Sequence, residues 1–390
     1  MHKSSDHRVA ILFRIRRFLP WPFRDFIVAE AAGGVVLLAA AMLALIWANV
    51  PHFGDYGAIW SEWRLLINEG FMTIFFLVVG LEIKREFVKG ELRGVRTALL
   101  PTLAAIGGMI IPALIYFRLN QTGAGSQGWA IPMSTDIVFA SAVLVLLGQR
   151  VPSSLKLFLL VLAIVDDIGA IFVIGVFYSG SLTLAPLLAA AGTVALTFYL
   201  RRYAKLGVPI FLGLTAALWF SLHAAGVQAS IAGAIVGLCA PMVTRSLGKL
   251  STGERLERLL FPLATFVVTP LFALANAGVA IGGASFSDPA ALTVALGILL
   301  GLLVGKTIGI TGVSWLLIRS RVAQMPGGAS WRQLLGTACV AGIGFTVALF
   351  VADVSFAAGS NLQAAAKLSI LLTSLVAAGL GVLLLRRGAR

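Results

Sequence analysis

Two adjacent aspartates, Asp166 and Asp167, lie near the middle of the apolar run LKLFLLVLAIVDDIGAIFVIGVF, residues 155–177. An ionised side chain at the centre of a bilayer costs about 2.5–3.5 kcal/mol on insertion scales, so such residues are by default functional and need a partner. Neighbouring residues of a helix point about 100° apart, so both carboxylates can border one cavity without facing the same atom. We predict that one aspartate faces a cation and the other faces a basic partner. The alternative is that both only hold a helix bundle together.

A third acidic residue, Asp136, follows the segment GWAIPMST, in which Pro132 prevents a regular helix. A helix that is interrupted inside a membrane leaves backbone carbonyls without partners, which is tolerated only beside a cavity or another polar group. Those carbonyls, the Thr135 hydroxyl and the carboxylates make an oxygen-rich site, and oxygen ligands suit a small hard cation. The sequence therefore predicts a site for a small cation or for protons around this interruption.

Lys306 is a basic residue inside an apolar segment, within the stretch GLLVGKT, residues 301–307. This stretch is not a phosphate-binding loop, because Leu300 stands where the first glycine is required and no strand precedes it. Glycines recur every four residues from Gly297 to Gly309, which gives one helix face suited to close packing. Lys306 adjoins that face. It is either the structural counter-ion of an aspartate or a proton carrier.

A second interrupted span is predicted in CVAGIGFTVA, residues 339–348, where Gly342 and Gly344 flank Ile343. The two interruptions fall in the middle helices of two three-span groups, spans 3–5 and 10–12. Interruptions at matching places of two repeats indicate a transporter site near the bilayer midplane. The two groups begin on opposite sides of the membrane, so the repeat is predicted to be inverted. Asp136 and Lys306 would offset the helix dipole ends that meet there.

A cluster of charges is predicted at the cytoplasmic end of span 2, in GLEIKREFVKGEL, where Glu82, Arg85 and Glu86 have helical i, i+3, i+4 spacing. Taken alone, this is an ordinary charge pattern for the end of a helix. Glu257, at the cytoplasmic start of span 9, is equally ambiguous.

The elements that carry these residues are membrane spans. The 390-residue chain is 59% hydrophobic and only 12% charged, whereas soluble domains have about 25% charged residues. Recurring apolar runs of about 20 residues are typical of a polytopic helical membrane protein. We predict an all-α integral membrane protein with twelve transmembrane helices. The predicted spans are 29–49, 67–83, 98–117, 129–148, 155–176, 182–200, 207–224, 229–243, 257–281, 291–318, 335–354 and 365–385.

The basic residues support this count, because they cluster in alternate loops. Of the 30 lysines and arginines, 26 fall on one side, and only Arg64, Arg118, Lys367 and the intramembrane Lys306 do not. The positive-inside rule makes that side cytoplasmic, with both termini. The prediction is a cytoplasmic segment 1–28, one transmembrane transporter domain 29–385 and a cytoplasmic tail 386–390. The net charge of +14 is thus explained without nucleic acid, and the predicted partner is the lipid bilayer.

Seven motifs, in order along residues 30–385, resemble the NhaA-type Na⁺/H⁺ antiporters of bacteria: FFLVVGLEIKRE, AAIGGMIIPALIY, GWAIPMSTDIVFA, LAIVDDIGAI, PLFALANAGV, GLLVGKTIGI and GIGFT. The resemblance implies twelve helices with inverted repeats, in which spans 4 and 11 are unwound and cross at mid-membrane. It also implies a multi-pass protein of the bacterial inner membrane without a cofactor. The transported ions would be Na⁺, Li⁺ and H⁺.

The resemblance also implies a role for each site residue. Asp167 matches the principal cation-binding carboxylate, and Asp166 matches the acid that pairs with Lys306, so that both aspartates would contact transported Na⁺. Thr135 and Asp136 match residues of the helix crossing. The residues that match the cytoplasmic funnel cluster associated with pH response are Glu82, Arg85, Glu86 and Glu257.

The implied function is exchange of cytoplasmic Na⁺ or Li⁺ for external H⁺, electrogenic with two H⁺ per Na⁺ and activated at alkaline pH, serving Na⁺ and pH homeostasis. A Na⁺-coupled symporter would need a larger polar pocket, and no cluster of Asn, Gln or aromatic residues near the breaks supplies one. An intramembrane aspartyl protease would need a GxGD motif, which this sequence lacks.

Two departures from the family pattern stand out. Gln228 occupies the place of a histidine linked to pH sensitivity, and because Gln does not titrate, any pH response must come from other groups. The loop between spans 1 and 2, about residues 50–66, is too short for the family's dimer-forming β-hairpin. A homodimer of this chain would therefore need another contact.

Overall fold

The computed structural model describes residues 21–50, 55–180, 182–202, 207–242, 250–283 and 286–388. Regular structure in these ranges is entirely helical, so the all-helical class is confirmed for them. Most of the predicted segment 1–28 and the last two residues of the predicted tail 386–390 lie outside the described residues. So do the loop residues Lys205, Arg245 and Lys249.

The described helices follow the predicted spans closely. The first helix begins at Trp21, eight residues earlier than predicted, and the last continues to Gly388. We number the helices in chain order as α1 (Trp21–Asn49), α2 (Tyr56–Ser61), α3 (Leu66–Val88), α4 (Val95–Leu119), α5 (Ile137–Leu146), α6 (Ser153–Phe177), α7 (Leu184–Leu200), α8 (Val208–Ala224), α9 (Ile231–Cys239), α10 (Thr252–Asn276), α11 (Pro289–Arg319), α12 (Trp331–Val340), α13 (Phe345–Ser355) and α14 (Asn361–Gly388).

Length and apolar composition support seven membrane-crossing helices among the described residues, or up to nine if two bent helix pairs each count as one span. Two further apolar helices, α7 and α8, have 17 residues each, and α9 has nine. Each of the twelve predicted segments thus contains a helix. The chain is a multi-pass helical membrane protein, and the count of twelve crossings stays a prediction.

The loop after α1 shows no hairpin in its described part. Residues 55–65 contain the short helix α2, whose N-terminus is capped by the Asp55 carboxylate accepting from Ala58 N at 3.1 Å. No strand occurs among residues 55–65. Residues 51–54 lie outside the described part of the chain.

Glycines bring the helices that carry the site close together. A Cβ at Gly309 of α11 would lie 2.3 Å from the Gly107 carbonyl oxygen of α4, so only glycine allows this approach. A Cβ at Gly233 of α9 would lie 2.0 Å from the Thr73 carbonyl oxygen of α3. Small residues at helix interfaces are the normal basis of close packing in membranes. The glycine repeat of α11 therefore packs as predicted, on α4.

Both predicted interruptions are present. A 3₁₀ segment, Ala124–Met133, contains Pro132 and ends before α5, with a bend of 42° at residues 134–136. Helices α12 and α13 are separated at residues 341–344 and bent by 43°. The two breaks contact each other, because Asp136 N donates to Ile343 O at 2.7 Å. Each break thus supplies a backbone partner that the other lacks.

Three helices contain π-helical turns that the sequence pattern does not reveal. They are Leu66–Phe71 in α3, Ala264–Val268 in α10 and Leu300–Gly305 in α11. π-Turns are rare and often occur at functional sites. The turn in α11 ends directly before Lys306, so it helps set the direction of that side chain.

Candidate functional site

The centre of the bundle holds a fully buried ion pair between Lys306 of α11 and Asp166 of α6, both side chains having 0% exposure. Lys306 Nζ donates to Asp166 Oδ2 and also to Thr135 Oγ1, the latter at 2.6 Å. The Thr135 hydroxyl lies 2.6 Å from Asp166 Oδ2 and 2.8 Å from Ala341 O, and its proton can serve either acceptor. The ion pair is therefore attached to both helix breaks.

Two buried oxygen atoms, one in the ion pair itself and one in the residue that precedes Thr135, have no hydrogen-bond partner among the described residues. They are Asp166 Oδ1 and Ser134 Oγ. Leaving a buried polar atom without a partner is costly, and such atoms are often found where a protein binds an ion or a water molecule. These oxygens fit a small hard cation as a transported substrate.

Asp167 differs from its neighbour in having no hydrogen bond or ion pair within the described ranges, although its residue is only 6% exposed. The charges near enough to act on it are those of Asp166, Glu82, Asp136 and Lys306, three of them acidic. A carboxylate in such surroundings is stabilised by binding either a cation or a proton. The tandem aspartates thus have different environments, as the 100° turn of the helix requires.

Asp136 bridges the N-termini of two helices. Its Oδ1 accepts from Phe139 N of α5 at 2.9 Å, and its Oδ2 accepts from Thr346 N and Thr346 Oγ1 of α13 at 3.0 and 2.7 Å. Helix N-termini carry partial positive charge, so a carboxylate between two of them is favourably placed. Because these donors and dipoles already act on it, Asp136 is less available than Asp167 to bind an ion.

The charged cluster that was predicted to face the cytoplasm also comes together in the structure. Arg85 of α3 forms ion pairs with Glu257 of α10 and with Glu86, the latter at 3.4 Å. Glu82 is buried one turn further in, and its charge acts both on this cluster and on Asp167. Through Glu82, the cluster lies within electrostatic range of Asp167.

Sequence reasoning missed several site residues. Thr346 carries no charge and gave no signal beyond its position near a break. A second buried ion pair, Asp353 with Lys367 at 2.6 Å, was also missed. Asp353 and Lys367 each lie near the end of a predicted span, and only the packing of α13 against α14 reveals that they pair. The described residues contain no group of three or more His, Cys, Asp or Glu side chains that could hold a metal.

The fold and the site define a class: a multi-pass helical membrane transporter with two broken helices and a carboxylate site between them. The particular family follows from comparison. Residues 24–385 match the family model described as Na⁺/H⁺ antiporter 1, so the chain belongs to that family. Its members are transporters, which excludes the enzyme alternative.

Curated relatives agree with this assignment. The chain is 42% identical to the Na⁺/H⁺ antiporter NhaA 3 of Frankia alni, over 93% of this chain and 88% of the relative. It is 44% identical to the Na⁺/H⁺ antiporter NhaA of Pseudomonas putida strain GB-1, over 92% and 95%. The solved structure of the sodium proton antiporter MjNhaP1 from Methanocaldococcus jannaschii has a similar fold. Its TM-score is 0.56 at 15% identity, over 92% of this chain and 98% of the other.

Proposed function

We propose that this protein exchanges cytoplasmic Na⁺ or Li⁺ for external H⁺, with Asp167 as the principal binding carboxylate. The observation that carries the proposal is the contrast between the two tandem aspartates. Asp166 is engaged by Lys306 and Thr135, whereas Asp167 has no hydrogen bond or ion pair among the described residues. The relatives' names and the family model indicate the ions.

Antiport follows from competition for the same oxygens. A proton on Asp167 removes the negative charge that a Na⁺ ion needs, and a bound Na⁺ ion excludes the proton. Asp166 Oδ1 and Ser134 Oγ, two of the buried oxygens without a partner among the described residues, would complete the coordination of the ion. Protons and Na⁺ would therefore bind alternately, which is the condition for exchange without a leak.

A stoichiometry of two H⁺ per Na⁺ requires a second proton, for which the structure offers two carriers. Asp166 takes up a proton if Na⁺ leaves and Lys306 turns away, or Lys306 itself releases one when Na⁺ neutralises Asp166. Both routes involve the same ion pair, because a buried lysine stays protonated only while its carboxylate partner stays ionised. Exchange of two H⁺ for one Na⁺ moves net charge and makes transport electrogenic.

Access to the site would alternate by movement of one helix bundle against the other. The contact between the breaks of spans 4 and 11 supports the proposed crossing of two unwound helices, and the matching positions of the breaks support inverted repeats. In such transporters the site stays fixed while the surrounding bundles rock. With twelve crossings and the basic loops inside, both termini would lie in the cytoplasm. The family resemblance indicates the bacterial inner membrane.

Alkaline activation is assigned to the cytoplasmic cluster. Glu82, Arg85, Glu86 and Glu257 would respond to cytoplasmic pH and transmit it to Asp167 through Glu82, the acidic residue that acts on both. Gln228 cannot contribute, because its amide does not titrate. In the cell, this dependence would serve Na⁺ and pH homeostasis by removing Na⁺ when the cytoplasm becomes alkaline.

The test uses proteoliposomes with an acidic interior and an internal pH dye. External NaCl or LiCl should alkalinise the interior with the wild-type protein. Asp167→Asn should abolish this response while leaving membrane insertion and the monodisperse gel-filtration profile unchanged, because the amide cannot exchange a proton for a cation. Glu62→Gln, at an exposed position in the loop after α2, is the matched control.

Two outcomes would contradict parts of the proposal. Robust Na⁺-driven alkalinisation by Asp167→Asn would place the cation site elsewhere. A response that does not change when a K⁺ diffusion potential is imposed with valinomycin would exclude the two-proton stoichiometry, since electroneutral exchange moves no net charge.

A further inference from the structure

The end of the bundle predicted to face outward contains a polar network that the transport site does not use. Its centre is the ion pair between Asp353 of α13 and Lys367 of α14, at 2.6 Å, with side chains 8% and 6% exposed. Gln363 of α14 donates to the same carboxylate at 2.9 Å. Burying an ion pair in this way is weak evidence for a role in stability, because desolvation offsets most of the attraction.

The network joins two groups of helices. Asn68, in the first π-helical turn of α3, donates to Asp353 Oδ2 at 3.2 Å. Asn276, the last residue of α10, donates to Asn68 Oδ1 at 2.7 Å. The carboxylate of Asp353 therefore holds α13 and α14 on one side and α3 with α10 on the other. Among the described residues, Asn68 is the donor of the hydrogen bond that joins the two groups.

An apolar layer lies directly inside this network. The rings of Phe76 in α3 and Phe350 in α13 have centroids 5.4 Å apart, and Phe272 in α10 lies 6.3 Å from Phe350. All three are fully buried. Along α13 the order is Thr346 at the site, then Phe350, then Asp353. A route from the site to the outside between α3 and α13 is thus closed by an aromatic layer and then by the polar network.

Polar contacts suit a closure that must open. An aromatic layer excludes water and ions, but it offers no partner that could be exchanged when the helices separate. A water molecule can replace the hydrogen bond from Asn68 to Asp353. Asp353 then keeps its ion pair with Lys367 and its hydrogen bond from Gln363. The ion pair stays within one helix group, and among the described residues a single hydrogen bond, from the uncharged Asn68 amide to the Asp353 carboxylate, crosses between the groups.

We propose that Asp353 is a positioning residue for transport: through Asn68 it holds the outer ends of α3 and α13 together while the site faces the cytoplasm. Separation of Asn68 from Asp353 then accompanies opening of the site to the outside. The inference rests on the proposed exchange by alternating access. It assigns a role to the ion pair of Asp353 and Lys367, which holds the carboxylate in place as the acceptor.

The experiment bridges the two groups with a short thiol-reactive cross-linker. Both native cysteines are first replaced by alanine, and Asn68→Cys is combined with Gln363→Cys, which leaves Asp353 and Lys367 intact. Asn68 and Gln363 donate to the two oxygens of one carboxylate, so a short bis-methanethiosulfonate can span them. The matched control combines Asn68→Cys with Asn276→Cys, which bridges α3 to α10 within one group. Intact-mass measurement gives the bridged fraction.

Bridging positions 68 and 363 should lower Na⁺-driven proton exchange by about tenfold or more, because a transporter that cannot alternate cannot turn over. Reduction of the bridge should restore the rate. The bridge between positions 68 and 276 should leave most of the exchange rate intact. Full exchange in the bridged 68/363 protein, or equal loss in both bridged proteins, overturns the inference. Absence of exchange in the unmodified protein instead overturns the proposed function.

A second measurement needs no cross-link. In oriented proteoliposomes, Asp353→Asn should weaken the outer closure and raise the population of the outward-facing state. The apparent KM for Na⁺ should then fall on the outer side and rise on the cytoplasmic side, by about threefold or more in opposite directions. A residue with only a structural role would change both values alike, and that result would also overturn the inference.

Discussion

The ion pair of Lys306 and Asp166 allows a quantitative prediction for Lys306→Met. In the native protein, both side chains are completely buried and the ammonium group donates to Asp166 and Thr135. Methionine has a similar length and fills the same space, but it leaves the Asp166 carboxylate with the Thr135 hydroxyl as its one remaining donor among the described residues. The variant therefore isolates the loss of charge from a loss of packing.

The magnitude follows from the burial of both partners. Removing one member of a buried ion pair costs about 3–5 kcal/mol, because the other charge is left uncompensated. Replacing both members by neutral groups of similar size is often neutral or stabilising. We expect Lys306→Met to lower the free energy of unfolding by about 3–5 kcal/mol. The double variant Asp166→Asn/Lys306→Met should lose only about 1 kcal/mol, the value of one hydrogen bond.

The assay is equilibrium unfolding in mild detergent at one fixed pH, followed by tryptophan fluorescence. Lys156→Met is a matched control, because Lys156 lies in the same helix as Asp166 and donates to a backbone carbonyl, that of Gly148, at 3.1 Å. It should change stability little. If Lys306→Met and the double variant lose the same free energy, the destabilisation does not come from an uncompensated charge and the reasoning is wrong.

Two further predictions concern packing and pH response. Gly233→Ala should destabilise the bundle by about 1–3 kcal/mol, because its Cβ would lie 2.0 Å from the Thr73 carbonyl oxygen. The control Gly213→Ala has no neighbouring atom within 4 Å and should be neutral or stabilising. Equal thermal stability of the two variants would contradict the packing argument. Arg85→Gln should alter the pH profile of Na⁺-driven exchange, because it removes the charge that pairs with two glutamates. The control Lys89→Gln, in an exposed ion pair, should leave the profile unchanged. Identical profiles for the wild type and both variants would show that the cluster does not control the pH response.

Much of the fold could be predicted because the signals are local. Each signal can be recognised within a short stretch of sequence. The signals are apolar runs of bilayer length, basic residues in alternate loops, and the helix breakers Pro132, Gly342 and Gly344. The membrane class, the helix positions and both interruptions follow from these signals. Helix α1 begins at Trp21, before the predicted start of its span. The prediction began too far along the chain because the aromatic and charged residues before the apolar run are not typical of a membrane span.

The partners at the site could not be predicted in the same way. The sequence places Asp166, Asp167 and Lys306 at similar depth, and a turn of 100° between adjacent residues requires the aspartates to differ. Which of them faces Lys306 depends on how α6 and α11 are rotated, and a π-turn before Lys306 contributes to that rotation. From the residues alone, either assignment was acceptable; the family resemblance supplied the choice.

By itself, the sequence determined that this chain is a bundle of membrane helices with charges inside it and two breaks at matching places. Hydropathy and helix breaking are properties of short segments, so no neighbour is needed to read them. Only the tertiary structure decided that Asp136 caps two helices, that Asp167 has no hydrogen bond or ion pair among the described residues, and that Asp353 meets Lys367 and Asn68. These contacts join residues far apart in the chain, and they depend on the separation and rotation of packed helices, which no local pattern encodes.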